Sequence, residues 1–149
     1  MYGGENMKEE NINALDEIHK GAYMGMDALN FVLEKVEDKS FEEVLKKQYD
    51  DYKNIAEIIE KVYPKYNNDE PHKTSTMNKV MTWYGVEMKT MTDRSNSKIA
   101  ELLLNGTNMG IIEGRKILNK KKIDQEVESL VSNYVTMQEK CIEVLKNYL

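Results

Sequence analysis

The chain of 149 residues predicts an all-α four-helix bundle, and three observations carry that expectation. Apolar residues recur at three- and four-residue steps in five stretches, and no stretch alternates as a half-buried strand does. Only two prolines, Pro64 and Pro71, interrupt the chain, and both fall in one segment. Finally, the chain echoes itself: HKGAYMGMDA, beginning at His19, and LNGTNMGIIE, beginning at Leu104, share the pattern Gly-x-x-Met-Gly at an offset of 85 residues.

The first helix is expected over about 8–37, with Leu15, Ile18, Ala22, Gly25, Leu29, Val32 and Val36 on its inner stripe. Residues 1–7 precede that stripe and read as a flexible start. A second helix opens at Ser40-Phe41-Glu42-Glu43, a capping box in which serine and glutamate satisfy orphan backbone N–H groups. Its stripe is Leu45, Tyr49, Tyr52, Ile55, Ala56, Ile59 and Val62. The short link at Glu37-Asp38-Lys39 makes the two an antiparallel hairpin. Residues 63–74, with both prolines and paired asparagines, read as a crossover loop. A shorter connecting helix follows over about 75–92, with Met77, Val80, Met81, Tyr84, Met88 and Met91 on one side and Trp83 off that stripe.

Asp93-Arg94-Ser95-Asn96-Ser97 offers several N-caps for a fourth helix over about 97–119, which the Asn119-Lys120-Lys121-Lys122 run suits as a C-terminus. Asp124 opens the last helix, which runs to about Tyr148 with Leu130, Tyr134, Met137, Cys141 and Val144 inward. Carried without a gap, the offset of 85 places Gly21, Met24 and Gly25 on Gly106, Met109 and Gly110, Gln48 on Asn133 and Tyr49 on Tyr134. Two hairpins, about 8–62 and 97–148, are therefore expected to pack about a pseudo-twofold axis as a single domain over 1–149.

Composition narrows the function classes. Hydrophobic residues at 40% and charged residues at 32% suit a helical globular domain. A formal net charge of −5 runs against a nucleic-acid partner, whose binders present a basic face with stacking aromatics. The start MYGGENMKEEN has no apolar run for a signal peptide, and no segment reaches the length of a membrane span, so the expectation is a cytoplasmic protein without membrane insertion. The single cysteine, Cys141, forms no internal disulfide and lies on a core face, where free cysteine behaves as a small hydrophobe.

Two helical hairpins joined by a long crossover, with TWYGVEMKTMTD in the connecting segment and a glycine-rich, acid-bearing fourth helix, resemble the ferritin-like superfamily. The arrangement is most similar to uncharacterised bacterial ferritin-like bundle families, some associated with spore coats. That resemblance implies a fold without fixing an activity. Di-iron members place one carboxylate on each of two helices and a Glu-x-x-His on each of the other two. This chain departs from the pattern: its histidines are His19, on the first helix, and His72, in the proline segment. The corresponding inward positions hold Gln48, Tyr49, Tyr52, Asn133, Tyr134 and Met137. No metal site and no cofactor are therefore expected, and no catalytic Cys/His or Ser/His/Asp arrangement is readable.

One acid falls within the inward arc. At roughly 100° per residue, Ile99, Leu102, Leu103, Gly106, Met109, Gly110 and Ile117 define that arc, and Glu113 stands inside it. A buried carboxylate must be paired or protonated. Its expected partners are Gln48, Tyr49, Asn133 and Tyr134, with His19 at the edge of its own helix's apolar arc. Such a cluster reads either as a polar layer fixing helix register or as a pocket for a ligand or for iron or manganese. The glycines Gly21, Gly25, Gly106, Gly110 and Gly114 each forgo about 1 kcal/mol of helix stability relative to alanine. Close approach of two helix backbones along them would offset that loss.

The function expected from the residues is a non-catalytic, metal-free bundle with a structural or protein-interaction role, forming a homodimer or other homo-oligomer through exposed apolar positions such as Phe31, Trp83 and Ile111. A divergent metal- or cofactor-binding protein built on Glu113 is the alternative. A sensor with a methionine-lined pocket for apolar small molecules is the third reading.

Overall fold

The computed structural model describes residues 3–68, 70–71, 85–87 and 90–149. Among the described residues the long elements are α1 (Gly3–Leu33), α2 (Lys39–Val62), α3 (Asn96–Lys120) and α4 (Gln125–Leu145). Short 3-10 turns, Tyr63–Lys65 and Lys146–Tyr148, extend α2 and α4. The chain is an all-α helical bundle, and each long helix packs most extensively on its hairpin partner, α1 with α2 and α3 with α4.

Polar ties at the two ends fix the order of directions. At one end Asn96 Nδ2 donates to Asp38 Oδ2 at 3.1 Å, so α2 and α3 start side by side. There too the Tyr148 ring stacks on Phe41 at 4.2 Å between centroids, and its hydroxyl lies 3.3 Å from Ser40 Oγ. At the opposite end the Asp124 N–H donates to Asn11 Oδ1 at 2.8 Å, and Tyr66 donates to Asp124 Oδ2 at 3.2 Å. Burial, and then this bond to Asp124, push the Tyr66 phenol up to about 12. The helices consequently run up, down, down, up, and the chain between Val62 and Asn96 crosses the bundle from end to end.

The boundaries show which local signals governed. α1 begins at Gly3, ahead of its apolar stripe, and ends at Leu33, where the Lys35 and Val36 N–H groups both turn back to the Val32 carbonyl. The N-cap of α2 is Asp38 and not Ser40: its carboxylate accepts from the Phe41 N–H at 3.0 Å, leaving Ser40 in the first turn. Ser95 caps α3 through the Lys98 N–H, and Lys121 closes it with φ of 54° in the left-handed region. The expected helix over about 75–92 lies largely outside the described residues, including Met77, Val80, Met81, Trp83, Tyr84 and Met88; His72 does also. Residues 85–87 and 90 are helical, and Met91, beyond them, packs half-buried against the core.

The core is continuous across the four helices and includes Leu15, Ile18, Phe41, Leu45, Ile99 and Val131. Its register corrects the repeat. The buried positions of α2 recur in α4 at a spacing of 86: Leu45 with Val131, Gln48 with Tyr134, Tyr52 with Gln138, Ile55 with Cys141 and Ile59 with Leu145. The cause is local. α3 extends two residues beyond the equivalent of Leu33 while its link to α4 is one residue shorter, so α4 starts one residue late. Tyr134 is therefore matched by Gln48 rather than Tyr49. Asn133, the gapless equivalent of Gln48, is exposed.

Candidate functional site

The two Gly-x-x-Met-Gly segments face one another across a cavity of ≈ 280 Å³ between α1 and α3. Gly21, Met24 and Gly25 come from α1 and Gly106, Met109 and Gly110 from α3, with Gly114 one turn further along. Gln48 and Tyr52 reach the cavity from α2, and Tyr134 and Gln138 from α4. Most of the remaining lining is aliphatic, with Ile18, Leu29, Leu103 and Ile117 on the walls.

The glycines are used differently from the expected backbone contact. A β-carbon on Gly21 would collide with the Tyr134 hydroxyl, and one on Gly25 would stand 2.6–2.8 Å from the Tyr52 ring carbons. On Gly110 it would overlap the Gln138 amide, and on Gly114 a methyl of Val135. The nearest atoms in every case belong to side chains. Gly21, Gly25, Gly110 and Gly114 thus seat side chains from α2 and α4, Tyr134, Tyr52, Gln138 and Val135 respectively, and this seating offsets their helix cost.

Those side chains form a buried polar layer. Tyr52 donates to Gln138 Oε1 at 3.2 Å, and Gln138 Nε2 donates to the Tyr134 carbonyl at 3.3 Å. Gln48 Nε2 makes a long 3.5 Å bond to the Cys141 carbonyl. Gln138 is 1% exposed, Tyr134 2% and Gln48 5%. Burial pushes the Tyr134 phenol up, against a hydrogen bond from Gln138 that pulls it down. Burial likewise raises the Cys141 thiol to about 12.

Of the expected cluster, the structure gathers Gln48 and Tyr134 and separates the rest. Glu113 is not inward. The buried arc of α3 is centred between Leu103 and Gly114, about 90° from Glu113 at 100° per residue. Its side chain is 52% exposed at the cavity rim, 3.5 Å from Lys116 Nζ. Met109, also expected inward, is 46% exposed for the same reason. Tyr49 is half-buried and does not line the cavity, and Asn133 points away from the core.

His19 belongs to a different place. It is buried on α1, with Nε2 3.1 Å from Glu60 Oε1 on α2, while Tyr23 donates to the same oxygen at 3.0 Å. The His19 and Tyr23 rings lie 4.8 Å apart. These residues border a second cavity of ≈ 500 Å³, lined also by Tyr63, Pro64 and Pro71. Burial, and then the bond to Glu60, raise the Tyr23 phenol. Sequence reasoning missed Gln138, because the gapless offset pointed to Met137, and missed Glu60, because its position on α2 reads as a solvated face. Among the described residues no three His, Cys, Asp or Glu side chains converge as metal ligands.

Comparison with known families gives one match, over residues 10–120, to a domain described as Domain of unknown function (DUF2383). The match covers more than half of the chain. The chain belongs to the DUF2383 family. No curated protein and no solved structure matches it. The DUF2383 match takes in α1 from residue 10, α2 and α3, hence both glycine segments, and stops where α3 ends. α4, beyond it, supplies Tyr134 and Gln138 to the cavity.

Proposed function

We propose that this DUF2383 chain is a non-catalytic, metal-free, ferritin-like bundle of the cytoplasm that acts through binding and self-association. The observation carrying the reading is the composition of the inner layer, where the matched positions of α2 and α4 hold Gln48 with Tyr134 and Tyr52 with Gln138. Di-iron bundles of similar topology use carboxylates and imidazoles from their inward positions. Neutral amides and phenols are poor ligands for iron or manganese, which favour carboxylate and imidazole donors. The up-down-down-up order with one long crossover supports the ferritin-like assignment.

Self-association draws on apolar side chains left on the surface: Phe31 is 39% exposed, Met109 46% and Ile112 45%. Ile111 is half-buried, and contributes less than its sequence position promised. Light scattering on purified protein, combined with elemental analysis, tests both parts. The expected result is a dimer or larger closed oligomer with no stoichiometric transition metal. A strict monomer at high concentration overturns the self-association. Stoichiometric iron or manganese, lost on Glu113→Ala, overturns the metal-free reading in favour of the alternative built on that acid.

A further inference from the structure

Beyond scaffolding, we infer that the cavity between α1 and α3 is a binding site for a neutral amphiphile: an aliphatic chain bearing one hydroxyl or amide head, about ten non-hydrogen atoms in all at the ~30 Å³ each water occupies in the liquid.

The polar end of the cavity asks for a ligand. Gln48 is 5% exposed, and among the described residues its only hydrogen bond is the long one from Nε2 to the Cys141 carbonyl. Gln48 lines the cavity, and among the described residues its carboxamide oxygen accepts no hydrogen bond, a deficit that natively folded proteins almost always satisfy. A ligand hydroxyl or amide N–H fills that deficit by donating to Gln48 Oε1. Tyr52 and Gln138, bonded to each other, also line the cavity.

The walls select the chain. Ile18, Leu29, Leu103 and Ile117 offer fixed aliphatic surface, and Met24 and Met109 at corresponding positions add adaptable thioethers. The rim selects against charge. Glu17 and Glu113 stand at the mouth, and the neighbouring cations are already engaged, Lys20 with Glu17 at 3.4 Å and Lys116 with Glu113 at 3.5 Å. Among the described residues a carboxylate entering there passes two acids and no unengaged cation, and at the Gln48 oxygen it has no proton to donate; a neutral hydroxyl or amide meets neither obstacle.

Calorimetric titration of the full chain with three probes tests the inference: octan-1-ol, its isomer 1-methoxyheptane, and octanoate at neutral pH. The isomers match in size, but the ether cannot donate. The expected result is saturable one-to-one binding of the alcohol, about fivefold tighter than the ether, the ratio one net hydrogen bond gives, with octanoate weakest. Gln48→Leu should bring alcohol and ether to equal affinity. It should not lower the melting temperature of the unliganded protein, because it removes an unsatisfied buried acceptor. Ala28→Leu, which grows a lining side chain into the cavity, should weaken both isomers while circular dichroism stays helical. Absence of saturable alcohol binding overturns the site. Binding unaffected by a folded Ala28→Leu protein overturns its location, and equal affinity of the isomers for the unmodified protein, or preference for octanoate, overturns the head assignment. Metal content enters none of these outcomes, and light scattering on the same samples reads association apart from ligand binding, so the inference and the proposed function fail separately.

Discussion

Gly25 and Gly110 occupy matched positions on α1 and α3, yet a methyl group at each meets a different neighbour. At Gly25 it presses on ring carbons of Tyr52 at 2.6–2.8 Å, and an aromatic ring bonded at its tip to Gln138 has nowhere to go. At Gly110 it meets the end of the Gln138 side chain, whose amide can rotate away at the expense of its bonds to the Tyr52 hydroxyl and the Tyr134 carbonyl. Alanine gains about 1 kcal/mol of helix propensity at either site. Overpacking costs about 1–3 kcal/mol where the neighbour is fixed, and a lost hydrogen bond about 1 kcal/mol. Gly110→Ala should therefore lie within about 1 kcal/mol of neutral, and urea unfolding should show Gly25→Ala to be the more destabilised of the two. Cys141 supplies a second test at this scale. At 4% exposure, with its thiol raised to about 12 by burial, it stays protonated and shielded at pH 8. Ellman's reagent should leave it unmodified over hours in buffer and titrate one thiol per chain in denaturing urea. Rapid reaction of the native protein would contradict the packing of α4 on α2.

Helix ends and register separate what local sequence dictates from what it leaves open. The stripes of α1 and α2 were legible because three- and four-residue periodicity is a property of the helix itself: Leu15, Ile18, Ala22, Leu29, Leu45, Tyr52 and Ile59 are all buried. The phase of α4 against its echo was not. It depends on how far α3 continues and how tightly the next link turns, and neither leaves a periodic trace. Glu113 was misplaced for a related reason: glycines carry no side chain to mark the inner face, so an arc drawn through Gly106 and Gly110 tilts toward the rim. Asp38 shows how one carboxylate joins two elements, capping α2 through the Phe41 N–H while accepting from Asn96 at the start of α3. The Phe41 N–H first, and Asn96 second, hold its carboxyl below the usual range. A folded pKa below the unfolded one gives stability that is present above the unfolded value and lost as pH falls through the folded one. Asp38→Ala should thus melt a few degrees below the unmodified protein at neutral pH. The gap should close as the pH falls through the lowered folded pKa of this carboxyl, since protonation then removes the same advantage. A gap that persists unchanged in acid would mean the cap does not act through its charge.

At the scale of the whole molecule, the family match and the physical domain have different limits. The DUF2383 match ends at residue 120, while the hydrophobic core runs on through Val127, Leu130, Val131, Tyr134 and Leu145 of α4. Each fully buried side chain of this kind contributes about 1.5–3 kcal/mol, so these five together contribute on the order of 10 kcal/mol. The stability of a domain this size is about 5–15 kcal/mol in total. A chain ending at Lys120 therefore lacks a contribution as large as the whole net stability. It also exposes the partners of those residues on α1, α2 and α3 to water. Ties at both ends go too, because Asn11 and Tyr66 lose Asp124 while Phe41 and Ser40 lose Tyr148. The truncated chain should show no cooperative melting transition and should bind more of a hydrophobic dye than the full chain does. Cooperative two-state unfolding of the 1–120 fragment would show instead that α1, α2 and α3 close a core of their own, with α4 docking on a domain already formed.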